Sequence, residues 1–147
     1  MELWELAARE AIRETVAAYA QCADSGRFKE LCALFAADGT LEIEGQPPLR
    51  GRDAIHDFLT GVALDLAGAS SSRMIRHNVS SLRIDVTSEH EATGRSYFLA
   101  ITETGVDHWG RYADVYIPGE GVAWLFAYRK VRTDGRIAGG FADGRQG

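Results

Sequence analysis

From Met74 onward the chain stops reading as helix and starts reading as strand, and that switch limits the folds open to it. Met74 to Val86, Thr93 to Thr102, Gly110 to Ile117 and Val122 to Val131 carry the alternation or the β-branched and aromatic richness of strands. Glu89 to Glu91, Thr104 to Asp107 and Pro118 to Gly121 read as the turns between them, and Asp134-Gly135 as one more. On the second of these strands Tyr97, Leu99 and Ile101 share one face, and Phe98 and Ala100 the other. On the first, the apolar parity changes between Val79 and Leu82, which predicts a bulge at Ser80-Ser81.

The first half is helical. Ile12, Val16, Tyr19 and Ala20, with Leu3 and Leu6 further off, form an apolar stripe over a helix from about Glu2 to Ala23. Ser25-Gly26 breaks it. A shorter helix is expected from Arg27 to Ala36, and a third from Arg52, with Ile55, Phe58, Leu59 and Val62 as its stripe, fading near Gly68. Between them Asp38-Gly39 signals a turn, Thr40 to Glu44 a strand, and Leu49 to Gly51 a short return. Ala69 to Ser72 reads as a loop. Helices followed by a run of antiparallel strands give an α+β class. The bulged strands imply a strongly curved, mostly antiparallel sheet, wrapped round three helices as a cone with an internal pocket. With 147 residues and no linker, residues 1–147 are expected to form one domain.

Charge narrows the partners. The net charge is −5 and no basic run occurs, so a nucleic-acid partner is not expected. No apolar run reaches the ~18 residues of a membrane span, and Met1-Glu-Leu-Trp-Glu-Leu carries acids where a signal peptide needs bases. Cys22 and Cys32 sit near helical apolar positions and read as small hydrophobes rather than a disulfide. These features point to a cytoplasmic protein. The convex sheet face, with Leu82, Ile84, Leu99 and Ile101 assigned to it, is expected to support a homodimer.

Motifs for phosphate cradles, dinucleotide binding and serine nucleophiles are absent from the sequence. Its four histidines, at 56, 77, 90 and 108, lack ligand spacing, so neither a metal nor a cofactor is expected. His56, His90 and His108 read as surface residues. His77 lies inside a strand, flanked by Arg76 and Asn78 that face the other way. Asp24 ends the first helix, where the macrodipole disfavours an acid. Solvent, an Arg or His77 could offset that cost. The Gly-rich end from Gly139 to Gly147 is expected to be mobile unless Arg145 reaches the pocket mouth.

Tyr19-x4-Asp24, His77 in a strand, Ala92-Thr-Gly-Arg-Ser-Tyr97, Gly110-Arg-Tyr-x-Asp114 and Trp124-x-Phe-x2-Arg-x-Val131 resemble the SnoaL-like superfamily, a group with the nuclear-transport-factor or cystatin-like cone. The pattern is most similar to the branch holding scytalone dehydratase, the bile-acid dehydratases and hexachlorocyclohexane dehydrochlorinase. The resemblance implies an Asp24–His77 dyad, and from the bile-acid enzymes a role for Tyr19. The chain departs from scytalone dehydratase at Ala23, where that family has Tyr, and on the next strand, where residues such as Ala100 and Ile101 stand in place of a second His. Arg145 is near the C-terminal Arg of the bile-acid enzymes. Ile43 stands about where steroid isomerases place their base. Asp114 could be the acid of a cyclase or the partner of Arg129.

The dyad suits proton abstraction from carbon, with Asp24 holding the imidazole and Tyr19 donating to developing charge. Phe28, Phe58, Phe98, Tyr112, Tyr116 and Trp124 offer an aromatic lining for a small hydrophobic ligand. The expected function is a cofactor-independent lyase, a dehydratase or related β-elimination enzyme. An isomerase or polyketide cyclase with the same base, or a non-catalytic ligand-binding module, are the alternatives.

Overall fold

The structure, a computed structural model, describes residues 1–69 and 74–143. Most of the loop expected at 69–72, and Arg145, fall outside the described residues. Helices α1 (Leu3–Ser25), α2 (Phe28–Cys32) and α3 (Arg52–Ala69) pack against a sheet of β1 (Phe35–Ile43), β2 (Leu49–Arg50), β3 (Ile75–Ser88), β4 (Glu91–Thr102), β5 (Gly105–Pro118) and β6 (Trp124–Arg136). The strand order is β2-β1-β6-β5-β4-β3. β1 and β6 run parallel and the other neighbours antiparallel, so the sheet is mixed, and it does not close into a barrel. The α+β expectation holds.

α1 ends as the sequence requires. Gly26 takes φ 72°, and the Arg27 N–H donates to the Cys22 carbonyl at 2.9 Å. The buried face of α1 is Ala8, Ile12, Thr15, Val16, Tyr19, Ala20 and Cys22. Leu3 and Leu6, assigned to the stripe, are instead exposed.

The second helix is shorter than its pattern suggested. The expected 27–36 span stops at Cys32, and Phe35 already belongs to β1. Its pairing with β6 overrides local helical spacing: Phe35 sits beside Phe126, whose N–H donates to the Leu34 carbonyl at 2.8 Å. Asp38-Gly39 therefore lies within β1, where the register with β6 shifts between Phe35 and Thr40. A Cβ at Gly39 would stand 3.0 Å from the carbonyl oxygens of Ala36 and Phe126, so the glycine serves close backbone approach. Arg52, at the start of α3, donates to the Phe35 carbonyl from Nε and Nη2, tying that helix to β1.

β3 carries the expected bulge. Its register with β4 shifts between Ser80 and Arg83, and Ser81 takes φ 54°. Beyond it Leu82, Ile84 and Val86 turn inward and pack against the core. The assignment of Leu82 and Ile84 to the convex face is thus corrected: the extra residue switches the inward face from the odd positions His77 and Val79 to the even ones. β4 alternates as read, with Phe98 and Ala100 buried and Tyr97 and Leu99 exposed. Two further turn assignments fail. β5 starts at Gly105, so Asp107 and His108 are strand residues, and β6 continues to Arg136, pairing Gly135 with Trp109 and Arg136 with His108. Gly135 is where the Trp109 indole crosses the strand, since a Cβ there would stand 2.3 Å from the ring.

Candidate active site

Asp24, at the last turn of α1, reaches β3. Its Oδ1 lies 2.6 Å from Nδ1 of His77, and its Oδ2 accepts the His77 backbone N–H at 2.9 Å. One carboxylate therefore grips both the ring and the backbone of the same residue. The two donors offset the unfavourable field at the helix C-terminus. With Nδ1–H donated to Asp24, Nε2 is the ring nitrogen left for chemistry. The pair is largely enclosed, the His77 side chain being 18% exposed and that of Asp24 10%.

The pair opens on a cavity of about 490 Å³. Helix α1 contributes Ala23 and Asp24, the α2 start Phe28, and α3 an apolar run through Phe58, Leu59, Val62 and Leu66; β3 adds Ile75 and His77. A volume of this size fits a small organic molecule. A wider trough of about 1230 Å³ lies over the other face of the sheet and is lined by Arg83, Arg95, Arg111, Lys130 and Arg132. The histidines are not in it, so the smaller cavity is the one joined to the candidate chemistry.

The family model of the SnoaL-like domain matches residues 4–130. The chain belongs to the SnoaL-like domain family. Among solved structures, a Novosphingobium aromaticivorans protein provisionally named scytalone dehydratase is 29% identical, covers 100% of both chains and has a TM-score of 0.77. A Catenulispora acidiphila protein in complex with S-DNPA is 25% identical over 86% of this chain and 92% of its own, with a TM-score of 0.72. The hexachlorocyclohexane dehydrochlorinase LinA-type3 from Novosphingobium barchaimii is 20% identical over 95% of this chain and 96% of its own, with a TM-score of 0.78, a likeness of fold. No curated protein matches the chain.

Within this SnoaL-like cone a second histidine stands beside the first. His108 lines the same cavity, with its ring centroid 5.8 Å from that of His77 and nearly perpendicular to it. The reading of His108 as a surface residue is corrected, because β5 begins before it and not after it. It pairs directly with Ala100 of β4. Ala100 is one of the residues that stand where the resemblance to scytalone dehydratase implied a second His, and the imidazole beside it here belongs to the neighbouring strand. The alternation Gly110, Tyr112, Asp114, extended back by two, would have placed His108 on the inner face; the apparent turn at Thr104–Asp107 hid it.

Asp107 accepts from His108 Nδ1 at 2.8 Å. Burial lowers the proton affinity of His108; the Asp107 hydrogen bond opposes this, and the nearby His77 adds to the lowering. The effect on stability has a definite sign. Above the ordinary value of 6.5 the ring is neutral folded or unfolded. Below it the unfolded chain takes up a proton that the folded chain resists, so stability falls as pH drops through the window from 6.5 to the lowered folded value. His108→Asn, which keeps a donor for Asp107, is expected to lessen the loss of urea midpoint between about pH 7.5 and pH 5.5. An unchanged loss would assign the acid sensitivity elsewhere.

The aromatic assignments divide. Phe28 and Phe58 line the cavity. Phe98 is buried behind the two imidazoles, its centroid 6.0 Å from His77 and 5.7 Å from His108. Tyr116 and Trp124 belong to the buried core. Tyr19 and Tyr112 do too, as the two rings that flank the Arg129 guanidinium, at 4.3 and 3.6 Å. Tyr19 is absent from the cavity lining. Burial raises its pKa, with Arg129 opposing. It points at the core because a helical offset of five from Asp24 turns it well away from the end of the helix that faces His77. Asp114 is likewise absorbed: its Oδ1 accepts from Arg129 Nε at 2.8 Å, its Oδ2 accepts from Tyr116 at 2.7 Å, and both members of the ion pair are fully buried.

Sequence reasoning missed the C-terminal wall. Arg136, Phe141 and Ala142 line the cavity, and residues 139–143 are hydrogen-bonded in place. Among the described residues no group of three or more His, Cys, Asp or Glu clusters as a metal site, and no helix is long and apolar enough to cross a membrane.

Proposed function

We propose that this chain is a cofactor-independent lyase that eliminates water, or a comparable leaving group, from a small hydrophobic hydroxylated compound. The observation that carries the reading is the Asp24–His77 hydrogen bond at 2.6 Å, opening on an apolar cavity. Membership of the SnoaL-like family, with a dehydratase-named and a dehydrochlorinase structure among its neighbours, supports a lyase-type, small-molecule-binding protein.

In this reading Nε2 of His77 takes a proton from the carbon next to an activating carbonyl. The C–H electrons form the new C=C bond as the C–O bond at the adjacent carbon breaks. The departing oxygen takes the proton from the imidazolium, and water leaves. Asp24 fixes the tautomer and stabilises the imidazolium while it exists. His108, its Nδ1–H engaged by Asp107, offers Nε2 as an acceptor that orients a substrate hydroxyl. Phe28, Phe58 and the α3 residues hold the apolar body and exclude water. No step calls on a cofactor, and a role for Tyr19 through direct contact is not part of this mechanism.

The test is a panel of β-hydroxy ketones bearing apolar rings, followed by the absorbance of the conjugated product and by the release of substrate deuterium to water. Deuterium loss without elimination would favour the isomerase or cyclase reading. Binding without either would favour a ligand-binding module.

We also propose a homodimer through the outer sheet face, on a revised patch. Leu99 pairs with Trp109 and Ile101 with Val106, and Tyr97 lies beside them. Tyr97 is 56% exposed, Val106 47%, Leu99 39% and Trp109 37%. A contiguous apolar patch of this kind is a docking surface. Light scattering at micromolar concentration is expected to give twice the monomer mass, and Leu99→Lys to return it to the monomer value; a monomeric parent would sink the proposal.

A further inference from the structure

Asp107 is 3% exposed, and every group it receives is a donor. Its Oδ2 accepts from His108 Nδ1 at 2.8 Å and from the Ala142 backbone N–H at 3.1 Å, and its Oδ1 accepts the Phe141 N–H at 2.5 Å. Its own backbone carbonyl accepts the Ile137 N–H at 2.9 Å. Phe141, held this way, lies parallel to the His108 ring at an interplanar angle of 3° and a centroid distance of 6.3 Å. Phe141 and Ala142 are also cavity wall. One buried carboxylate thus joins a histidine of the cavity to the chain segment that closes it.

We propose that Asp107 is a positioning residue that couples closure of the 137–142 segment over the cavity to the tautomer and orientation of His108. The inference rests on reading this cavity as the ligand site. Only a carboxylate suits the position. An asparagine has one acceptor oxygen and one NH2 group, and the NH2 would face at least one of the three donors. The geometry of Gly140 supports the same point from the other side. A Cβ there would stand 2.6 Å from Asp107 Oδ1 and 3.1 Å from the Ile137 carbonyl, so glycine is what lets the segment seat on the clamp.

The test uses the full chain and needs no substrate. In the parent, the Phe141 and Ala142 amides are expected to exchange slowly with deuterium, and His108 to give the nitrogen NMR signature of an Nδ1–H tautomer. An apolar fluorescent dye should bind the cavity and leave slowly. Asp107→Asn is expected to speed exchange at both amides roughly tenfold to a hundredfold, the factor for losing a hydrogen bond to a charged acceptor. It should also mix the His108 tautomers and speed dye release. A purely structural role would not move the tautomer signature. Asp107→Glu, which keeps an acceptor-only group, should restore the tautomer at least in part.

Gly140→Ala guards against a variant that fails to fold. It keeps the Asp107 carboxylate and the His108 ring but sets a Cβ against Asp107 Oδ1, so the segment can no longer seat on the clamp; coupling requires it to speed amide exchange and dye release and to shift the His108 signal too. Fast exchange at Phe141 and Ala142 in the parent would overturn the proposal. So would a His108 signal that Asp107→Asn or Gly140→Ala leaves unchanged while the amides are freed. The dye and the amides report whether or not any elimination occurs, so loss of the lyase reading and loss of this one are separate results.

Discussion

His77→Ala is expected to lower turnover of an identified substrate by about 10²–10⁴-fold, the range that general-base catalysis supplies. The fold should survive, because His77 lies on the rim of the cavity, 18% exposed at the side chain, and its loss leaves Asp24 within reach of solvent. Asp24→Asn keeps the shape but removes the charge opposite the imidazolium, so it should reduce kcat more than it changes KM. The two losses should not add. Each variant disables the same unit, and the double variant should be about as slow as His77→Ala alone. Denaturation gives an independent reading of Asp24. An acid at a helix C-terminus is held against the macrodipole, so Asp24→Asn should be near neutral in stability if its role is catalytic. A loss of several kcal/mol would make its role structural. Full-rate turnover by His77→Ala would end the lyase reading.

The second large effect lies in the core. Arg129 and Asp114 form a fully buried ion pair at 2.8 Å, and the guanidinium is packed on Tyr112, Tyr19 and Phe126 at 3.6, 4.3 and 4.5 Å. Burial acts to lower the Arg129 pKa, but the Asp114 carboxylate overrides it and the group is held above its usual value. Arg129→Met leaves Asp114 as an uncompensated buried charge, and a loss of about 3–5 kcal/mol is expected by urea denaturation. Asp114→Leu alone should cost a similar amount, since it strands the arginine. The double variant should recover much of the loss, because the residues are coupled and a hydrophobic pair needs no desolvated charge. The cavity is lined by other residues, so ligand binding by the folded fraction should persist. Additive losses would show that the pair contributes mainly through packing on the aromatic rings.

These two sites differ in how far the residues announced them. Asp24 was legible because a helix stripe has a definite end, and Ser25-Gly26 marked it; Gly26 at φ 72° confirms the break. The inward side of His77 followed from strand alternation with Arg76 and Asn78 outward. That the two would meet was implied by resemblance, since 53 residues separate them and no local rule spans that interval. The aromatic lining was not legible. Phe28 and Phe58 face the cavity while Tyr116 and Trp124 fill the core, and all four satisfy the same apolar patterning.

What the amino-acid sequence alone determined is the class of the fold, the long helix with its glycine stop, the bulge at Ser80-Ser81, the inward side of His77 on β3, and the inward face of β4. Each depends on periodicity and backbone preference over a few residues. Only the tertiary structure decided the rest. Phe35 left its helix because pairing with β6 outweighs local propensity. His108 entered the site because β5 begins at Gly105, ahead of it, in register with Ala100. Tyr19 turned to the core, and what it meets there is the Arg129 guanidinium, 4.3 Å from its ring. Asp107 gathered the chain end across 34 residues of sequence. Periodicity sees which way a side chain points, but which partner waits there is set by strand order and register, and these are properties of the whole sheet.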